Sequence, residues 1–152
     1  MTIGGWLHFL KITIMQSKIK KTIIETDDAP TAIGAYNQGV IVGNLLFISG
    51  QIAIDPPTGY MVTNNIKMET KRVMKNIKAI LKKAGCTFEE VVKCSVFVKD
   101  ISQFQAINKV YAKYFDAKTA PAREFVEVSK LPRNVNIEIS AIALVKPKSD
   151  DA

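Results

Sequence analysis

The segment VNIEISAIALV, residues 135 to 145, constrains the fold more than any other stretch of the chain. Successive side chains of a strand point to opposite faces. Val135, Ile137, Ile139, Ala141, Ala143 and Val145 therefore share one face, and Asn136, Glu138, Ser140, Ile142 and Leu144 share the other. Each face carries apolar residues, and burying them gains about 25 cal/mol per Å² removed from water. Such a strand has to be covered twice, once by helices of its own chain and once by something else. Association into an oligomer would supply the second cover.

The helices are legible upstream. Ile66, Thr70, Val73, Ile77, Ile80 and Ala84 recur at helical spacing. Asn64 or Asn65 can cap the start, and Gly85 stands where a left-handed residue closes a helix. A second helix begins near Asp100. Asp100 with Gln103 resembles a capping box, and Phe104, Ile107, Tyr111 and Tyr114 line one face. Strands are expected at IKKTIIE (19–25), at two runs within 39–54 divided by Gly43-Asn44, at VVKCSVFV (91–98), and at about 123–128 and 134–145. DPPTGY, 55 to 60, is a turn cluster. The order strands, helix, strand, helix, strands predicts an α+β domain, with two helices on one face of a mixed sheet.

One domain suffices for 152 residues. It is expected over 17–147, between an N-terminal extension, 1–16, and a polar tail, 148–152. The extension, MTIGGWLHFLKITIMQ, is too short to span a bilayer and lacks the basic start and small-residue cleavage site of a signal peptide. Met15 is a candidate start. A cytoplasmic protein is expected, or a mitochondrial one if the extension is a targeting segment.

The net charge of +7 makes anionic metabolites or nucleic acid conceivable partners. The lysines at 67, 71, 75, 78, 82 and 83 follow helical spacing, as a solvated helix face would. Cys86 and Cys94 form no metal-ligand pattern and no disulfide framework, and Cys94 reads as core. The only histidine, His8, falls in the extension. A His base, a Ser-His pair or a His-ligated zinc is therefore not expected in the domain.

With 18 lysines and three arginines, the chain reserves arginine for special places. Arg123 follows Ala120-Pro121-Ala122 and opens an apolar strand. A planar fork of donors there suits a carboxylate or phosphate gripped by two parallel bonds. If SKLPRN joins the last two strands as a direct antiparallel hairpin, with paired numbers summing to 263, Phe125 faces Glu138 and Arg123 faces Ser140. Arg123 and Glu138 would then be diagonal neighbours on one face, about 7 Å apart. A shift of one residue would separate them. Such a pair could bind an anionic substrate beside a positioned water, or serve only as a cross-strand salt bridge.

Five runs carry a resemblance: APTAIGAYNQGV (29–40), FISGQIAIDPPTG (47–59), KAGC (83–86), VVKCSVFVKDISQFQAINKVYAKYF (91–115) and APAREFVEVSKLPRNVNIEISAIA (120–143). In this order they resemble the RidA/YjgF family of reactive intermediate deaminases, also known as L-PSP endoribonucleases or translation inhibitors. The resemblance spans about residues 18 to 146. It implies a chorismate-mutase-like α+β subunit and a homotrimer whose sheets close a central barrel, with clefts between subunits. It implies hydrolysis of reactive 2-imino and enamine acids, 2-aminoacrylate and 2-iminobutyrate, to 2-keto acids and ammonia, with no cofactor and no metal. The partners implied are therefore a small imino or keto acid and further copies of the chain, with no membrane.

Carried over by residue, Arg123 would bind the substrate carboxylate and Glu138 would hold or polarise the attacking water. Tyr36, Ser49, Gly50, Asn108 and Phe125 would line the substrate site. Each has a plainer alternative: Tyr36 as a packed aromatic, Ser49 as a strand-end hydroxyl satisfying backbone, Asn108 as a helix cross-link. The family's PARSCVEV reads PAREFVEV here, so Glu124 and Phe125 replace serine and cysteine. Alternation sends Glu124 to the face opposite Arg123. Two competing readings remain at this level, an RNA-cleaving translation inhibitor and a trimer that binds carboxylates without turnover.

Overall fold

The computed structural model describes residues 20–146. The extension 1–16, with His8 and Met15, and the tail 148–152 lie outside the described residues. The elements are β1 (Lys21–Ile24), β2 (Gly39–Val42), β3 (Leu45–Gln51), α1 (Ile66–Lys83), β4 (Val91–Val98), α2 (Phe104–Tyr111), β5 (Ala122–Glu127) and β6 (Ile137–Leu144).

Helix α1 forms where the sequence calls for it. The Asn65 side chain accepts the Lys67 N–H at 2.9 Å, and Gly85 closes the helix at φ +77°. Thr70, Val73, Ile77 and Ile80 are buried against the sheet, while the lysines face solvent. Each buried aliphatic side chain contributes about 1.5–3 kcal/mol, so Ile77→Ala would cost about 2–5 kcal/mol. At α2 the cap differs from the expected box. The Asp100 side chain accepts the Ser102 N–H, and the Gln103 side chain donates to that carboxylate rather than accepting the Asp100 N–H. A 3₁₀ turn, Ile101–Gln103, separates cap and helix. The reciprocal box occurs instead at Thr87 and Glu90.

The six strands form one sheet in the order β1-β2-β3-β6-β4-β5. All pairs are antiparallel except β4 with β5, for which α2 provides the long crossover a parallel pair needs. Both helices lie on one face, over a core that includes Leu46, Ile80, Val96, Ile137 and Ile139. This is the expected α+β arrangement.

The expected β5–β6 hairpin does not form. Strand β4 lies between the two, bonded to β5 on one side and β6 on the other. Residues 128–136 are long enough to step past one strand. Leu131 and Val135 anchor them by burial, while Lys99 N–H bonds Asn136 O and Val128 N–H bonds Val98 O. The apolar VVKCSVFV thereby gains two neighbours instead of an exposed edge. The register follows: Arg123 pairs with Cys94, and Glu138 pairs with Phe97. Cys94 and Phe97 are an odd number of residues apart, so Arg123 and Glu138 stand on opposite faces.

Away from the helices, Ile23, Phe47, Val126 and Leu144 are each more than 40% exposed. The apolar second face of β6 is thus open in the single chain.

Candidate active site

Two half-sites result, one on each side of the sheet. The first is a cleft of about 630 Å³ whose walls include Tyr36, Ser49, Gly50, Arg133 and Glu138. Its floor depends on a β-bulge. Between Ile48 and Gln51 the pairing with β6 slips by one, so Ser49 and Gly50 together oppose Ser140. The bulge carries Gly50 onto Glu138. A Cβ at position 50 would overlap the carboxylate, coming 2.8 Å from Cδ. Only glycine allows this approach.

Buried polar residues fix the cleft from behind. The Gln38 amide accepts the Thr26 N–H at 2.7 Å and donates to the carbonyls of Thr26, Ala29 and Pro30. Asn76 on α1 donates to Ile52 O and Ile54 O. The fully buried Glu69 carboxylate accepts the Asn136 N–H at 2.7 Å and its Nδ2–H at 2.8 Å. That clamp holds Asn136, just before β6 and two residues before Glu138.

Within the cleft, Ser49 donates its hydroxyl to Asn37 O at 2.6 Å, which leaves it an acceptor toward a ligand. The half-exposed Tyr36 accepts the Ile33 N–H at 3.3 Å, leaving its own O–H to donate. Burial pushes the Glu138 carboxyl above its usual 4.5, and it has no hydrogen-bond or ion-pair partner among the described residues. A carboxyl so placed is suited to taking up and returning a proton.

The second half-site surrounds Arg123. Its Cζ lies 4.8 Å from the Tyr111 ring centroid, 5.6 Å from Phe104 and 5.7 Å from Phe125. Phe104 and Phe125 meet edge to face at 4.8 Å. Nη1 donates to Asn108 Oδ1 at 2.9 Å. The three rings stand around the guanidinium carbon, worth about 0.5–2 kcal/mol for each cation–π contact. Its remaining N–H donors lie in the plane, where a carboxylate can take two. Beneath it, burial pushes the Cys94 thiol above its usual 9.0 and keeps it a neutral core group. Glu124 lies on the other face, bonded to Ser95 Oγ at 2.9 Å and paired with Lys93 Nζ at 2.6 Å, so it does not compete for the guanidinium.

The structure thus brings Tyr36, Ser49, Gly50 and Glu138 together, and Arg123, Asn108 and Phe125 together, but not the two groups. Three contributors were not read as site residues from the sequence: Arg133, Phe104 and Tyr111. The scarcity of arginine that singled out Arg123 applies equally to Arg133. Phe104 and Tyr111 read only as a helix face, because the β4–β5 pairing that seats Arg123 beneath them is non-local.

A family model described as Endoribonuclease L-PSP matches residues 26–145. The chain belongs to the RidA/YjgF family. Among its family relatives, a RutC family protein of Pyrococcus abyssi is 51% identical over 123 residues, covering 81% of this chain and 96% of that one. The 2-iminobutanoate/2-iminopropanoate deaminase of Rattus norvegicus is 44% identical over 131 residues, 86% of this chain and 95% of the rat protein. The RidA/YjgF fold is also that of Escherichia coli TdcF, solved with bound serine. It superposes with a TM-score of 0.77 at 41% identity, covering 82% of this chain and 99% of TdcF.

Among the described residues there is no group of three or more His, Cys, Asp or Glu that could hold a metal, and no helix long and apolar enough to cross a membrane.

Proposed function

We propose that the chain hydrolyses 2-imino acids, and their enamine tautomers, to 2-keto acids and ammonia, in a homotrimer whose sites combine the two half-sites. The carrying observation is their separation: an unpaired carboxylate in a cleft on one face, and a caged, partly free guanidinium on the other. Neither suffices alone, and the sheet prevents one chain from joining them. The open apolar face around Phe47 and Leu144 is the natural contact between copies. Relatives named as iminobutanoate deaminases, and a TdcF structure holding an amino acid, support the substrate class.

In the proposed reaction, Arg123 of one copy takes the substrate carboxylate as a fork. Phe125 and the Gly50 backbone confine the C=N end, against the cleft of the next copy. Glu138 accepts a proton as water oxygen attacks the imine carbon, giving a carbinolamine. Returned to nitrogen, that proton completes the carbinolamine. Glu138 then takes the hydroxyl proton and delivers it to the leaving amine as the C–N bond breaks, so that the carbonyl forms and ammonia departs. Water and imine are consumed one for one. Positioning plus one proton-transfer group accounts for about 10²–10⁴-fold acceleration.

The test is release of keto acid from freshly generated 2-aminoacrylate and 2-iminobutyrate. Acceleration by the native trimer that is lost in Arg123→Ala supports the reading. No acceleration by the native trimer overturns it, and retained keto-acid binding in that case would leave a carboxylate-binding trimer.

A second reading, action on RNA, draws on one observation. The lysines of α1 form an exposed stripe, and the helix's only acid, Glu69, is buried. Binding that weakens steeply with salt and ignores Arg123→Ala would favour it.

A further inference from the structure

The chain contains three arginines, and two of them have partners. Arg72 pairs with Asp55 at 2.8 Å, and Arg123 is held by Asn108 and its aromatic cage. Arg133 is different. It lines the Glu138 cleft, its side chain is exposed, and it has no ion-pair partner among the described residues.

The backbone beneath it also asks for another residue. Arg133 sits at φ 52°, ψ 21°, and Asn134 follows at φ 62°. This left-handed region favours glycine, and side-chain-bearing residues held there cluster at ligand sites. The turn is firmly fixed. Asn134 N–H bonds Leu131 O at 3.2 Å, Val135 N–H bonds Pro132 O at 3.3 Å, and Leu131 and Val135 are buried. Behind it, Glu69 grips Asn136. A mobile surface lysine would have served solubility, whereas this is a rigidly based fork at the wall of a cleft.

In the single chain the cleft measures about 630 Å³ before a second copy closes on it. Pro30, Ile33, Ile52 and Ile54 supply an apolar stretch of its lining, suited to a short aliphatic chain.

We propose that Arg133 binds a second anionic group of the substrate, so that the cleft favours 2-imino acids bearing a side-chain carboxylate over those with a plain alkyl side chain. The inference rests on the imine reading: Arg123 of a neighbouring copy takes the α-carboxylate, and Arg133 takes the distal one. Glu138 stands between as the proton carrier, free of both.

The experiment is calorimetric binding of two product probes, 2-oxobutyrate and 2-oxoglutarate, to the full-length assembled protein. Native chain is compared with Arg133→Gly, Arg133→Lys and Arg123→Ala. Glycine suits the left-handed backbone better than arginine does, so loss of folding cannot imitate loss of the side chain. The expected result is a preference of about tenfold or more for 2-oxoglutarate in the native protein, the size of one charged hydrogen-bonding contact. The preference vanishes in Arg133→Gly and survives in part in Arg133→Lys. Equal native affinities, a preference that persists in Arg133→Gly, or equal weakening of both probes by that change would each overturn the proposal. Arg123→Ala reports separately on the imine reading: weakening of both probes is expected, and unchanged 2-oxobutyrate binding would sink that reading alone. Failure of the native protein to bind either probe would sink both.

Discussion

Arg123 and Glu138 occupy opposite faces of one sheet, with β4 between their strands. That placement separates a pair of residues that would form an ordinary salt bridge on one face, and in the proposed function it makes them two halves of a shared site.

Asn108 is the only described side chain that hydrogen-bonds Arg123. Asn108→Ala removes a charge-assisted bond worth about 1.5–3 kcal/mol in favourable cases. The guanidinium would lose its orientation, and KM for imine substrates should rise about tenfold or more with a smaller change in kcat. Asn108→Asp should be worse, because a carboxylate at that point occupies the fork intended for substrate. Steady-state kinetics on both variants checks this, and an Asn108→Ala enzyme with native KM would contradict it.

Gly50 touches Glu138 through the bulge. Gly50→Ala forces the carboxylate aside, since the added carbon overlaps it. Displacement by about 1 Å commonly costs 10²-fold in rate. Loss of turnover with native-like circular dichroism and assembly is expected; near-native turnover would contradict the placement of Glu138.

Glu138 also leaves a mark on stability. Its folded value lies above the usual 4.5 because burial disfavours the charged form. The folded state therefore holds its proton more tightly than the unfolded chain, and this group's contribution declines as pH rises from 4.5 through the raised value. Glu138→Gln removes the titration. The variant should match the native chain in Tm near pH 4 and exceed it near pH 7.5, the reverse of what loss of a salt-bridged carboxylate would give. A lower Tm at neutral pH would contradict the unpaired, half-buried setting.

Much of this fold was legible because its signals are local. The period of Thr70, Val73, Ile77 and Ile80, the Asn65 cap, Gly85 and the two-faced alternation of β6 each follow from neighbouring residues. Tyr36, Ser49, Gly50 and Glu138 on one side, and Arg123, Asn108 and Phe125 on the other, were singled out chiefly through the family resemblance. What was not legible was the partner of β5. A short, Pro-containing connection reads as a hairpin, yet whether it closes one depends on a competing strand thirty residues upstream. The same gap concealed the ring cage over Arg123, which exists only because β4 and β5 run parallel. Arg133 was missed for a different reason: a positive φ on arginine has no sequence signature, and Pro-Arg-Asn resembles any polar turn.

The joining of the half-sites is tested most directly by complementation. Arg123→Ala and Glu138→Gln chains are prepared separately, each expected to be inactive, then unfolded together and reassembled in equal amounts. In a cyclic trimer with sites shared between neighbours, random assortment restores roughly one native site in four. Keto-acid release from 2-iminobutyrate should therefore recover to a substantial fraction of native activity in the mixed assembly and not in either parent. Mixed trimers, verified by mass, that remain as inactive as their parents would contradict a site built from Arg123 of one copy and Glu138 of another.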